Sequence, residues 1–343
     1  MDDDGLRTLR ALLAPGTPLR EGLERIVHGR TGALVVLGES EQLRQLCTGG
    51  FGIDTEFTAQ ALRELAKMDG AVVLASGLGR IARAGVHLMP DASVPTDETG
   101  TRHRTADRVS RQTGLPVVTV SASMGTIALY VDGVRHPVQR PEQILTRANQ
   151  ALATLARYRN RLDEATARLS ALEIRDQVRV ADLVLVAQRL ELHLRLAEEI
   201  DDYIAALGVD GRLVELQLHE LRAGLEELPP LIELDYSAGG RQLNLEALRA
   251  CSTTELMIPE AAAELLSFGA DTPLNSPLGA RGHRQLASVA RLPRRTSTAI
   301  VVHFDGLQEL LGATIAELRA VDDVDDNTAR IVKDALLRLD QEA

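Results

Sequence analysis

The chain is 343 residues long, 45% hydrophobic and 25% charged, with a formal net charge of −11. That length predicts two or three domains with ample apolar material for a core. The acidity excludes a whole-protein attraction to nucleic acid, so any DNA contact needs a local basic face. Aromatic residues make up 2% of the chain and Trp is absent, which favours helix-rich cores of Leu, Val, Ile and Ala and argues against single-strand binding on stacked aromatic platforms. Cys47 and Cys251 sit in no metal-ligand spacing, so two free thiols in a reducing compartment are expected. The start Met1-Asp2-Asp3-Asp4 is the opposite of a basic signal-peptide start, and no apolar run approaches about 18 residues. The expectation is a soluble, cytoplasmic protein with no membrane partner.

In chain order, Leu6 to Ala14 and Leu19 to Val27 predict two short amphipathic helices, the second capped by Thr17 with Pro18 at its first position. Thr31 to Gly38 predicts a buried strand bracketed by glycines, and Gly49-Gly50-Phe51-Gly52 is too glycine-rich for a regular element. A helix around Ala61–Ala66, strands at Ala71–Leu74 and Val117–Val120, and an alternating strand from Thr126 to Val131 before the Asp132-Gly133 turn complete an α/β domain with a mixed sheet. Pro137 and Pro141 mark its end.

From Glu142 the pattern becomes heptad, with Ala148, Leu155, Leu162 and Leu169 on one seam and Ala151, Tyr158, Ala165 and Leu172 on the other. Further helices are expected over about Val178 to Leu207, stopped by Gly208, and Leu213 to Leu228, ahead of Pro229-Pro230. This charge-laced region reads as scaffold. Pro273 to Gly282 reads as a linker, followed by two short helical pairs: Gln285–Val289 with Thr298–Phe304, and Ile315–Leu318 with Thr328–Leu337.

Two motifs carry chemistry. Asp69-Gly70 alone is a turn signal, but between a helix and a buried strand it sets a carboxylate at a corner a ligand can reach. Thr101-Arg102-His103-Arg104-Thr105, after Gly100 and just ahead of the helix start expected at Ala106-Asp107-Arg108-Val109, joins cationic side chains to free N–H groups, a ready phosphate site. One carboxylate facing a phosphate clamp suits a divalent metal shared with a nucleotide. Arg108 and Arg111 fit the blander role of solvated helix arginines.

Asp69-Gly70-Ala71, then Gly100 to Ala106, then Ser121 and Ile127-Ala128-Leu129-Tyr130 resemble the diadenylate cyclase family. The order of cyclase domain, helical spine and hairpin region resembles the DNA-scanning branch of that family. Together these predict an α+β multidomain protein: a cyclase domain over 1–137, a helical spine over 138–275, and a tandem helix-hairpin-helix module of the RuvA domain 2 type over 276–343. The resemblance implies condensation of two ATP into cyclic di-AMP and two pyrophosphates. Asp69 would hold Mg2+ or Mn2+ and help activate the attacking hydroxyl. Gly70 and Ala71 would let the nucleotide approach, Leu88 would pack on adenine, and Thr101, Arg102, His103, Arg104, Thr105 and Ser121 would hold phosphate. A symmetric product requires equivalent sites face to face, and the resemblance implies an octamer. Ala122-Ser123-Met124 follows Ser121 where other branches carry glutamates or an arginine, a departure shared in part with the scanning branch.

In the C-terminal module, Arg291, Arg294 and Arg295 give the first hairpin a basic edge for DNA. Val321-Asp322-Asp323-Val324-Asp325-Asp326 has aspartates where a DNA-binding hairpin uses glycines, so repulsion from Asp323 and Asp325 should weaken DNA binding. Two rivals remain at this stage. One is a non-catalytic helix-hairpin-helix DNA-binding protein with a nucleotide-sensing N-terminal domain, and the other is a structural assembly protein built on the spine.

Overall fold

Short runs of Val, Leu and Ala form the centre of a mixed sheet, and the computed structural model describes residues 3–237 and 242–342. Met1 and Asp2, the first residues of the acidic start, lie outside the described residues. The chain divides into two compact units, Met1–Gln150 with Ile200–Glu215 and Ala151–Glu199 with Leu216–Ala343.

The first unit opens with helices α1 (Asp3–Leu12) and α2 (Pro18–His28), the latter capped by Thr17, whose side chain accepts from Arg20 N–H. Then follow β1 (Ala33–Leu37), α3 (Glu41–Leu46), β2 (Cys47–Thr48), β3 (Phe51–Glu56), α4 (Ala59–Leu65), β4 (Ala71–Leu74) and β5 (Arg80–Leu88). Helix α5 (Thr101–Thr113), β6 (Val117–Ser121), β7 (Thr126–Val131) and β8 (Val134–Val138) complete it. The eight-stranded sheet has the order β2-β5-β4-β1-β6-β7-β8, with β3 also on β5. Only β1 and β4 pair in parallel among the described strands, with Val35 beside Val72. The sheet separates two apolar layers. Leu19, Leu23 and Ile26 of α2 and Leu62 of α4 pack on the face that carries Val35, Val72 and Val118. Ala106 and Val109 of α5, with Leu43 of α3, pack on the face that carries Leu34, Val36, Val73 and Tyr130.

Three strands depart from expectation. β5 carries Arg80, Arg83 and His87 in an irregular pattern, because its register slips twice against β4. β3 takes in Phe51 and Gly52, which pair with Ala84 and Arg83, so only Gly49-Gly50 remains as the turn. β8 extends the hairpin beyond Asp132-Gly133 and includes Pro137, which an edge strand tolerates.

The second unit is helical. Helices α6 (Pro141–Ile174) and α7 (Val180–Leu207) cross the division between the units. On α6 the predicted seam residues Ala148, Leu155, Leu162 and Leu169 are all at most 1% exposed. Helix α8 (Arg212–Arg222) ends earlier than expected, and Pro229-Pro230 falls in the first turn of α9 (Leu228–Tyr236). Prolines at a helix start lose no intrahelical bond, so this pair opens a helix rather than closing one. The short helices α10 (Thr253–Leu256) and α11 (Pro259–Leu265) precede Pro273–Gly282. That stretch is not a loose linker, because Val180 and Ala181 N–H donate to Ser276 and Leu274 carbonyls, and Leu278 N–H donates to Val178. The chain ends with α12 (His283–Ala287), α13 (Arg294–His303), α14 (Leu307–Gly312), α15 (Ile315–Leu318) and α16 (Asp326–Glu342). Among the described residues no helix is long and apolar enough to cross a membrane.

Candidate active site

Helix α5 begins five residues before the expected start, so the Thr-Arg-His-Arg-Thr motif forms its first turn instead of preceding it. Gly100 is the N-cap at φ 84° and ψ 144°, a conformation open in practice only to glycine. The first intrahelical bond runs from Arg104 N–H to Gly100 O at 3.1 Å. The N–H groups of Thr101, Arg102 and His103 therefore have no helical acceptor, and no side chain caps them. The first turn contains no acidic residue. Arg102 and Arg104 are exposed, and among the described residues neither side chain has an ion-pair or hydrogen-bond partner. Cations at the positive end of a helix cost about 0.3–1 kcal/mol each at low salt. An anion bound there would reverse that cost.

The other arginines of α5 are braces. Arg108 donates to the carbonyls of Val94 and Ala92 at 2.8 and 3.0 Å. Arg111 spans Asp107 and the Gly133 carbonyl at 2.8 and 3.0 Å.

Asp69 lies exposed in the bend between α4 and β4, its Oδ1 accepting from Gly70 N–H at 3.1 Å. Gly70 has φ +112°, and a Cβ there would stand 2.7–2.9 Å from the β5 backbone at Gly85 and Val86. The glycine is thus demanded by sheet packing, independently of any ligand. The strand directions then gather the site. β1 and β4 start at the same end of the sheet, and β5 and β6 finish there, as the pairs Val35–Val72, Ala71–Val86 and Ala33–Val120 show. That end carries Asp69, Gly70, Leu88 and Ser121. The guanidinium of Arg102 reaches the same end, because a Cβ on Gly32, just before β1, would meet its Nη1 at 2.6 Å. Gly32 therefore makes room for a cradle arginine. A glycine just before a buried strand was the available signal, but the sequence names no partner for it.

The remaining expected residues are placed as follows. Thr101 is exposed and Thr105 half-buried on the same first turn. Ala71 is fully buried and Leu88 is 8% exposed, both in the layer under α5, so Ala71 offers a ligand only its backbone. Ser121 closes β6, and its Oγ accepts from Met124 N–H at 3.4 Å across the turn. His103 is half-buried and turned toward the sheet, with Nδ1 2.9 Å from Tyr130 Oη and 3.3 Å from Thr119 Oγ1. Burial holds the imidazole below its ordinary pKa; Arg135 and Arg102 act in the same direction and Glu98 opposes them. Among the described residues no three His, Cys, Asp or Glu side chains are arranged to hold a metal. A hard divalent cation with Asp69 as its protein carboxylate and substrate phosphates for its other ligands fits what is present.

In the C-terminal helices, Arg291, Arg294 and Arg295 are all exposed, the latter two in the first turn of α13. Arg291 before α13 and Asp323 before α16 share φ 64°, so each occupies a left-handed turn position. The acidic stretch is less open than expected. Asp325 accepts from Thr328 N–H at 2.7 Å, Asp326 pairs with Arg319 and Arg330, and Asp323 pairs with Arg295 at 3.2 Å.

The family model described as "DisA bacterial checkpoint controller nucleotide-binding" matches residues 20–135, and "DisA bacterial checkpoint controller linker region" matches 138–274. The DNA integrity scanning protein DisA of Parafrankia sp. (strain EAN1pec) is 53% identical over 98% of this chain and 96% of its own. That of Cutibacterium acnes is 51% identical over 95% of this chain and 96% of its own. A crystal structure of DacA from Staphylococcus aureus covers 40% of this chain and 91% of its own at 23% identity and a TM-score of 0.31, a likeness too weak to argue from. The chain belongs to the DisA family of bacterial DNA integrity scanning proteins, the diadenylate cyclases, and is a nucleotidyltransferase.

Proposed function

We propose that this chain condenses two ATP into cyclic di-AMP and two pyrophosphates at the sheet end that carries Asp69 and the first turn of α5. The observation that carries the reading is the helix start itself: exposed Arg102 and Arg104 beside free N–H groups, with no acidic residue in the turn. Arg102, Arg104 and the backbone N–H groups hold the phosphates and offset charge as the 3′-hydroxyl of one nucleotide displaces pyrophosphate from the other. Thr101, Thr105 and Ser121 add hydroxyl contacts. Leu88 and the backbone of Gly70 and Ala71 border the purine.

Asp69 holds Mg2+ or Mn2+, which when bound supplies charge stabilisation at the phosphates. The product is symmetric, so two such units act face to face, within a larger assembly that the family resemblance makes an octamer. The C-terminal helices form a tandem helix-hairpin-helix module that senses branched or damaged DNA through Arg291, Arg294 and Arg295. Because Asp323 engages Arg295, that binding is weak.

The test is incubation of the full chain with ATP and Mg2+ or Mn2+, with product followed by chromatography. Asp69→Asn should lower turnover at least about a hundredfold with the fold intact. Full activity in both Asp69→Asn and Arg102→Ala would overturn this placement of the site.

A further inference from the structure

The sheet beneath the helix start holds a polar chain that the phosphate cradle does not explain. Tyr130 on β7 is fully buried, and Thr119 beside it on β6 is 0% exposed. The Tyr130 hydroxyl lies 2.9 Å from His103 Nδ1. Glu98, which precedes α5 and pairs with Arg135 of β8 at 3.5 Å, also interacts with the Tyr130 hydroxyl. Burial raises the Tyr130 pKa, and the charge of Glu98 and its hydrogen bond to the hydroxyl raise it further. The tyrosine is therefore a neutral donor at all working pH values.

The direction of each bond follows from that. An ionised carboxylate only accepts, so Tyr130 O–H donates to Glu98. The phenol oxygen is then left to accept, and the partner that can donate is His103 Nδ1–H. A neutral imidazole with its proton fixed on Nδ1 carries its lone pair on Nε2. Among the described residues, Tyr130 and Thr119 hydrogen-bond this ring, both at Nδ1. Nε2 is left for a ligand.

We propose that Tyr130, oriented by Glu98, is a positioning residue for the cyclase reaction: it fixes the proton of His103 on Nδ1, so that Nε2 faces the nucleotide as a hydrogen-bond acceptor. The ligand group it meets is a hydroxyl or amino donor of the nucleotide, not a phosphate oxygen. This assigns His103 a different part from the two arginines that flank it. The proposal rests on the nucleotide site placed above, and its experiment separates the two.

Tyr130→Phe keeps the ring and removes the hydroxyl. The expected result with ATP and Mg2+ is a kcat lower by about ten- to a hundredfold, with KM for ATP changed less than about threefold. In a His103→Gln background, which has no ring nitrogen for the tyrosine to hold, the same substitution should have no further effect. A purely structural tyrosine would lower kcat equally in both backgrounds, and that result overturns the proposal, as does an unchanged kcat in Tyr130→Phe.

Glu98→Gln supplies a second readout if Tyr130→Phe fails to fold. The charged or titratable groups facing His103 are Arg102 on its own helix, Arg135 on β8, Glu98 on the preceding segment and Tyr130 on β7. Glu98 is the one that favours the protonated ring. Its neutralisation should move the acid limb of the kcat profile to lower pH, and an unmoved limb counts against the proposal. Loss of product in Asp69→Asn alongside a silent Tyr130→Phe removes the tyrosine's role and leaves the site standing. Full activity in Asp69→Asn and Arg102→Ala removes the site itself.

Discussion

Two constellations of charge in this molecule obey opposite rules. At the start of α5, Arg102 and Arg104 are exposed and unpaired among the described residues, and Asp69 accepts only from its neighbour's N–H. In the helical unit, Glu173 is buried and held by three donors. It accepts from Tyr236 Oη and Gln285 Nε2, both at 2.6 Å, and from the guanidinium of Arg284. Asp235 beside it takes the N–H groups of Gly282, His283 and Arg284 at 2.6–2.9 Å. That second network ties α6, α9 and the start of α12 together, with three protein donors on each carboxylate. Charge left unsatisfied at a surface awaits a partner, whereas charge satisfied in a core holds elements in register.

The sharpest way to break this contrast is to remove one member of each. Glu173→Ala leaves Arg284 buried without its anion and should cost about 3–5 kcal/mol of unfolding free energy, read by denaturant titration. Arg102→Ala should leave stability within about 0.5 kcal/mol while cyclase turnover falls about a hundredfold. Reversal of the two outcomes would mean that the charges have been assigned to the wrong tasks.

Much of the first constellation was legible because its residues are contiguous. Arg102, His103 and Arg104 announce themselves within three positions, and β1 and β4 are continuous apolar runs that identify buried strands. The heptad seam of α6 was legible for the same reason, a period carried along one helix. Glu173 was not, because its partners Tyr236 and Arg284 stand 63 and 111 residues away and no local spacing joins them. Tyr130 and His103 are 27 residues apart and meet only because β7 runs beneath α5. β5 escaped because its register slips put arginines where alternation predicts apolar residues. Contacts that depend on register or on helix docking leave no local pattern.

A pH experiment tests the buried network from the other direction. Burial, with the charge of Glu173 next, pushes Asp235 from 3.8 up to about 6, against three backbone donors that favour its ionised form. A carboxyl whose folded pKa exceeds its unfolded one contributes most stability below the unfolded value. That contribution is lost as pH rises through the folded value. The difference in unfolding free energy between the native chain and Asp235→Asn should therefore fall by about 2 kcal/mol between pH 4 and 6. A flat difference would show the carboxyl already ionised at pH 4.

Gly100→Ala probes the cradle more gently. A Cβ there meets nothing within 4 Å, so the penalty comes from φ +84° alone. Strain of this kind costs about 1–3 kcal/mol, and the first turn of α5 should yield before the sheet does. Unfolding free energy should drop by about 1–2 kcal/mol, and KM for ATP should rise more than kcat falls. An unchanged KM would mean that the N–H groups of Thr101 to His103 do not meet the substrate.

The smallest effect belongs to the C-terminal helices, where exposed charge is neither open nor buried. Asp323 and Arg295 pair with side chains 54% and 87% exposed, so their bond contributes little to stability. Its consequence is for binding. An arginine engaged with an aspartate releases no counterion when a phosphate approaches, because its charge is already offset. Asp323→Gly frees Arg295 and gives the φ 64° position the residue that prefers it. Stability should change by less than about 1 kcal/mol, while affinity for branched DNA rises several-fold. The slope of log K against log salt should steepen by about 0.9, one phosphate's share. Both readouts are needed, since relief of backbone strain alone would raise stability and leave the salt slope where it was.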